Sequence, residues 1–100
     1  MLPVVWLEGA DADLAAITAY ISERNPQAAD RLWSRIRASV VGLSQFPYMG
    51  VIPRYKSLRI QGLRILVIES HLAFYRINES EKEVVIIRIL HGSQDYVNMI

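Results

Sequence analysis

The stretch LRILVIESHLAFYRINESEKEVVIIRIL, residues 63–90, decides the fold. It holds three apolar runs, LRILVIE (63–69), LAFYRIN (72–78) and EVVIIRIL (83–90), rich in β-branched and aromatic residues that suit a pleated, half-buried surface. The joins, around Ser70-His71 and Glu79–Lys82, are too short for a crossover, so the three runs are predicted to form an antiparallel meander. In the last run Val85, Ile87 and Ile89 oppose Val84, Ile86, Arg88 and Leu90, so both faces are apolar. One face is expected to cover helices, and the other to form a binding groove or an oligomer interface.

Upstream of the meander the pattern changes. PVVWLE (3–8) reads as a first strand, broken by Gly9-Ala10-Asp11. Asp11 is a candidate N-cap, with Asp13 in the first turn where negative charge favours the helix dipole. Leu14, Ile17 and Ile21 then predict an amphipathic helix over 12–24. Asn25-Pro26 ends it and starts the next, since Asn caps well and Pro needs no amide partner at the first helical position. Leu32, Ile36, Val40 and Leu43 form one apolar face over 27–45. So short a link predicts a helical hairpin. Trp33 lies beside the apolar face, as core filler or as an anchor for a partner. QFPYMGVIPRYKS (45–57), with two prolines and a glycine, reads as a loop. The expected fold is α+β, in the order β-α-α-β-β-β, with the helical hairpin packed on one face of an antiparallel sheet. Residues 1–100 make a single domain.

Composition narrows the function classes. The apolar fraction is 52% and the mean hydropathy +0.19, high for a domain whose surface is large relative to its volume. Some of that apolar surface is expected to meet a partner. The chain has no cysteine and two histidines, which disfavours a metal site, and no cofactor is expected. The apolar runs fall far short of the ~20 residues that span a bilayer, and MLPVVWLEGAD lacks the basic start of a signal peptide, so a cytoplasmic protein is expected. Net charge is +1, but no acid occurs between Arg31 and Ile68, a zone carrying Arg31, Arg35, Arg37, Arg54, Lys56, Arg59 and Arg64. Such a zone suits either an anionic partner or a plain solvated face.

The residues in this order resemble the RelE/ParE toxin family of type II toxin–antitoxin systems, its ParE-like branch in particular. The resemblance rests on Trp6 before A-x-x-D-L (Ala10, Asp13, Leu14), on Tyr20-Ile21, and on NP-x-AA (Asn25, Pro26, Ala28, Ala29). It continues through Leu32, Ile36, FP-x-x-G (Phe46, Pro47, Gly50), GLR-x-L (Gly62–Leu66), FYRI (Phe74–Ile77) and RILHG-x-x-D (Arg88–Asp95). It implies a small toxin that arrests growth, serves plasmid stabilisation, and is neutralised by a cognate antitoxin whose C-terminal segment wraps the helices and the sheet. Residues Leu14, Ile17, Trp33, Arg54, Lys56, Arg59, Arg64, Arg76 and Arg88 are the candidates for contact with antitoxin or target.

The family implies two activities. ParE-like members inhibit DNA gyrase and do not cut RNA; RelE-like members are ribosome-dependent endoribonucleases. RNA cleavage needs a base for the 2′-OH, cations for the developing charge and an acid for the leaving oxygen. Arg64, Arg88, His91 and Tyr96 match positions used by the nucleases. Against this, GVIPRYKS (50–57) has no glutamate for the base, and Arg54 is a poor substitute because it stays protonated. Val51 stands where the family usually has a basic residue. Structural roles are also open: Arg64 and Arg88 could pair with Glu69 or Glu83, His71 could be a solvated turn residue, and His91 could end the last strand, with Gly92 allowing a turn other residues resist. On balance a gyrase inhibitor is favoured over an enzyme, with the ribosome as the alternative target.

Overall fold

A computed structural model describes all residues from Met1 to Ile100. The elements run β1 (Val4–Trp6), α1 (Glu8–Ser22), α2 (Pro26–Val41), a short α3 (Lys56–Arg59), β2 (Arg64–Ile68), β3 (His71–Asn78) and β4 (Glu83–His91). The three late strands form the expected antiparallel meander, and β1 joins it in parallel beside β4, giving the sheet order β1-β4-β3-β2. The parallel pairing follows from the crossover through two helices that separates β1 from the sheet. A turn of 3-10 helix at Gly42–Ser44 continues α2, which is why the apolar spacing runs on to Leu43.

The helical hairpin forms as read at its centre and differs at its start. Asn25 caps α2, its side chain accepting from the Ala28 amide at 3.0 Å, with Pro26 in the first turn. Ile36, Val40 and Leu43 are fully buried. Helix α1, however, begins at Glu8 and not at an Asp11 cap. Leu7 still donates to the Ile86 carbonyl of β4, and its own carbonyl then accepts from Ala10 and Asp11, so the chain turns from strand into helix without a loop. Docking against β4 overrides the local break that Gly9 suggests.

Asp13 is thereby placed against the end of β4. Its carboxylate accepts from Arg88 Nε (2.7 Å), from the other arm of the same guanidinium (2.9 Å) and from the Ile89 amide (2.9 Å). The arginine therefore pairs with neither Glu69 nor Glu83. Glu69 sits in the β2–β3 turn at φ 55 and pairs with Arg35 of α2 at 3.1 Å.

The alternation expected in the last strand breaks at Ile87. Phe74 pairs with Arg88 but Tyr75 pairs with Ile86, leaving Ile87 as the extra residue of a β-bulge. Past it the faces exchange: Ile89 joins Val84 and Ile86 in the main core under the helices, while Leu90 goes to the opposite side. That opposite side is not the open groove or oligomer face anticipated. Leu58, Leu63, Ile65, Phe74 and Leu90 form a second core, covered by α3 and by Tyr96, Val97 and Ile100 of the C-terminal tail. Part of the apolar surplus is thus used within the chain.

Asp13→Ala should leave the Ile89 amide and the Arg88 guanidinium without their acceptor. The expected loss is about 2–4 kcal/mol, visible as a lower urea midpoint with an unchanged slope.

Candidate functional site

The four positions shared with the nuclease pattern do not converge. Arg64 on β2 stands opposite Tyr75, whereas His91 on β4 stands opposite His71, itself paired with Ile68 four residues further along β2. That separates Arg64 from His91 by roughly 13 Å along the strands and about 9–10 Å across them. Arg64 donates to the carbonyls of Tyr48 (3.1 Å) and Gly50 (2.9 Å), and its Nε has no acceptor. Arg88 is engaged by Asp13, whose hydrogen bond holds the guanidinium still more firmly protonated. Tyr96 packs its ring at a tilt on Phe74 (5.3 Å) and meets Tyr55 edge-to-face (6.1 Å), so it serves the second core.

His91 ends β4 and is exposed. Its Nδ1 accepts from the Ser93 amide at 3.0 Å, and Ser93 Oγ lies 2.7 Å away. Gly92 has no left-handed backbone; the glycine with positive φ is Gly62, at 76°, so the turn after His91 does not demand glycine. Nor is His71 a solvated turn residue. It opens β3 with its ring edge-on to His91 (5.1 Å between centroids), and its Nδ1 is buried without a partner. Burial, and then the neighbouring His91, lower its pKa below the ordinary 6.5, while Glu69 opposes the shift. The histidines, with Ile17, Tyr20 and Ile21 of α1, line a groove of about 520 Å³.

The remaining candidates divide between core and surface. Leu14 is 2% exposed and belongs to the chain's own core, so it offers nothing to a partner. Ile17 is half-buried and packs on that core. Trp33 is not core filler but 47% exposed, with Arg37 over its ring at 5.4 Å and over Trp6 at 4.6 Å. It borders a trough of about 520 Å³ between α1 and α2 that Ala15, Ala19 and Ala29 keep shallow. Arg76 is exposed on β3. Arg54 lies over the Tyr55 ring at 5.3 Å, Lys56 starts α3, and Arg59 donates to the carbonyls of Pro53 and Arg54.

The loop over 45–57 is more ordered than its prolines and glycine suggest, and its anchor is Tyr75. This fully buried side chain accepts from the Gly50 amide (2.9 Å) and donates to the Pro47 carbonyl (2.8 Å). Val51 and Ile65 exchange both backbone hydrogen bonds, extending the sheet edge by one bridge. A Cβ on Gly50 would lie 2.5 Å from Tyr75 Oη and 2.8 Å from the Ile65 carbonyl, so the close approach requires glycine. Sequence reading missed Tyr75; the FP-x-x-G spacing was the available signal, but the hydroxyl it awaits lies 25 residues beyond Gly50.

Three comparisons bear on this arrangement. A family profile described as "ParE toxin of type II toxin-antitoxin system, parDE" matches residues 4–96. The chain resembles a chain in the solved structure of a chromosomal ParDE toxin–antitoxin system from P. aeruginosa, with 28% identity, TM-score 0.75, and coverage of 91% of this chain and 96% of that one. It also shares the fold of a chain in the RelBE2 toxin–antitoxin complex from Mycobacterium tuberculosis, with 22% identity, TM-score 0.65, and coverage of 90% and 96%. No curated protein matches significantly.

Two outcomes follow from the geometry. Tyr75→Phe should cost about 1–3 kcal/mol by leaving the Gly50 amide unpaired, and Gly50→Ala should cost more because Tyr75 and the Ile65 backbone must both give way; thermal unfolding reads both. His71 takes up a proton less readily in the folded chain than in the unfolded one. Its contribution is therefore full above the ordinary 6.5 and is lost as pH falls below it. Urea midpoints at pH 7.5 and 5.5 should differ less in His71→Gln than in the unsubstituted chain.

Proposed function

The chain belongs to the ParE toxin family of type II toxin–antitoxin systems, and on that premise we propose that it inhibits DNA gyrase in the cytoplasm and is neutralised by a cognate antitoxin. The observation that favours gyrase over messenger RNA is the pairing of Arg88 with Asp13. A cleavage site needs cations free to meet the developing phosphate charge. Here Arg88 has its fork occupied by a carboxylate, Arg64 is turned onto backbone carbonyls, and His91 stands at the far end of the sheet. With no glutamate in residues 50–57 to take a proton from a 2′-OH, the residues give weak support to ribonuclease chemistry.

For the antitoxin, the helices provide the fitting surface. Trp33 and Tyr20 are 47% and 60% exposed on an otherwise small-residue trough and its neighbouring groove. An amphipathic segment laid along them would bury both aromatic side chains, the usual energetic anchors of an interface. No helix of the chain is long and apolar enough to cross a membrane.

Purified toxin should block supercoiling by gyrase and accumulate cleaved DNA, while leaving messenger RNA intact in a translation reaction. His91→Ala should keep that inhibition within about twofold. Ordinary supercoiling at toxin excess, together with cuts inside codons that disappear in His91→Ala, would establish the ribonuclease instead.

A further inference from the structure

The segment joining α2 to α3 holds large apolar side chains in solvent on a backbone that is fixed. Phe46, Tyr48, Met49, Val51 and Ile52, five of the seven residues 46–52, are each at least half exposed. Slackness does not explain it. Tyr75 Oη ties the Gly50 amide and the Pro47 carbonyl, Arg64 ties the carbonyls of Tyr48 and Gly50, Val51 bridges to Ile65, and Tyr48 Oη donates to Glu79 at 2.7 Å. That last bond holds the phenol to the sheet side of the loop and raises the Tyr48 pKa above its ordinary 10.0. A loose loop would fold such side chains inward; this one is pinned from below with the side chains outward.

Tyr48 separates two hollows. One, of about 550 Å³, is bordered by Phe46, Pro47 and Met49 and is mainly apolar. The other, of about 260 Å³, is bordered by Ile52, Arg59 and Arg64. Arg54 and Lys56 follow directly, and the acid at hand, Glu79, is occupied by the Tyr48 hydroxyl. Aromatic residues, Met and Arg are the types enriched at protein interfaces. A nucleic acid fits less well. Its binding rests on cations free for phosphate; Arg59 and Arg64 are bound to the chain's own carbonyls, which leaves Arg54 and Lys56 beside five exposed side chains that are apolar or aromatic.

We propose that residues 46–52, with Arg54 and Lys56, are the preorganised surface by which the toxin holds its target protein, at a patch of that protein combining acidic and apolar side chains. The inference rests on the reading of the chain as a toxin and places the contact away from the helical trough assigned to the antitoxin. Preorganisation matters because binding then costs little ordering of the loop.

The test uses Phe46→Ala and Met49→Asp in the full chain, both on exposed side chains outside the two cores. Each variant should need about tenfold or more protein for half-inhibition of supercoiling. Its affinity for the cognate antitoxin should stay within about twofold. Unchanged inhibition would overturn the proposal. So would parallel loss of antitoxin binding at an unaltered melting temperature, which would make the antitoxin the occupant of this surface. Salt-sensitive binding of the toxin to bare duplex DNA that Met49→Asp abolishes would overturn it in favour of nucleic acid. Should the unsubstituted toxin arrest growth without affecting supercoiling, the gyrase reading falls but this one does not. Relief of growth arrest by Met49→Asp with antitoxin binding intact would then uphold it, and persistent arrest would overturn it.

Discussion

The carboxylate of Asp13 is the constraint on which the rest of the structure depends. It reaches from the second turn of α1 to the end of β4, 75 residues away, and takes three hydrogen bonds there. β1 pairs with β4 only as far as Ile86, so beyond that point the edge of β4 needs another partner for its amides. Asp13 supplies it at Ile89. The same contact fixes the rotation of α1, which points Leu14 into the core and leaves Tyr20 outside. A charged arginine beside a sheet edge is tolerable because its fork is met by a full carboxylate in bidentate geometry.

The bulge at Ile87 is the second element of that arrangement. By inserting one residue it exchanges the faces of β4 between Ile86 and Ile89, so the strand serves both cores with apolar residues. The second core is small and would be open without the tail. Tyr96, Val97 and Ile100 close it, and this accounts for a tyrosine that the polar look of HGSQDY leaves unexplained. RILHGSQDY is therefore the junction where β4 ends, the histidine binds its own turn, and the chain comes back over Phe74.

What was legible in the sequence was local or periodic. Asn25-Pro26 is a cap whose partner lies three residues away, and Ile36, Val40 and Leu43 repeat at helical spacing, so both could be read without knowing the sheet. The strands of the meander were legible because their joins are short. What escaped was set by distant partners. Asp13 looks like a first-turn acid until Arg88 is placed beside it. Trp33 sits next to an apolar stripe, yet a rotation of one residue along the helix puts it outside. Strand parity failed at Ile87 because a bulge leaves no mark in an unbroken apolar run. Tyr75 could not be recognised as the anchor of the loop because its two polar partners lie in a different segment.

The candidate site shows why counting charge misleads where counting free donors does not. The zone from Arg31 to Ile68 has seven cations and no acid, which reads as a surface for phosphate. In the folded chain Arg59 and Arg64 give donors to backbone carbonyls, Arg35 meets Glu69 and Arg37 lies over two tryptophan rings. Arg88, outside the zone, is taken by Asp13. Much of the basic character is thus structural: it staples loop to sheet and helix to strand. The fold is shared with a chain of a RelBE2 complex, so the fold alone cannot separate the activities of the wider family. On the function proposed above, the separation lies in what each arginine holds. An arginine whose fork is already met by a carboxylate, as Arg88 is, has little to gain from a phosphate, and an apolar loop held rigid in water has much to gain from a protein.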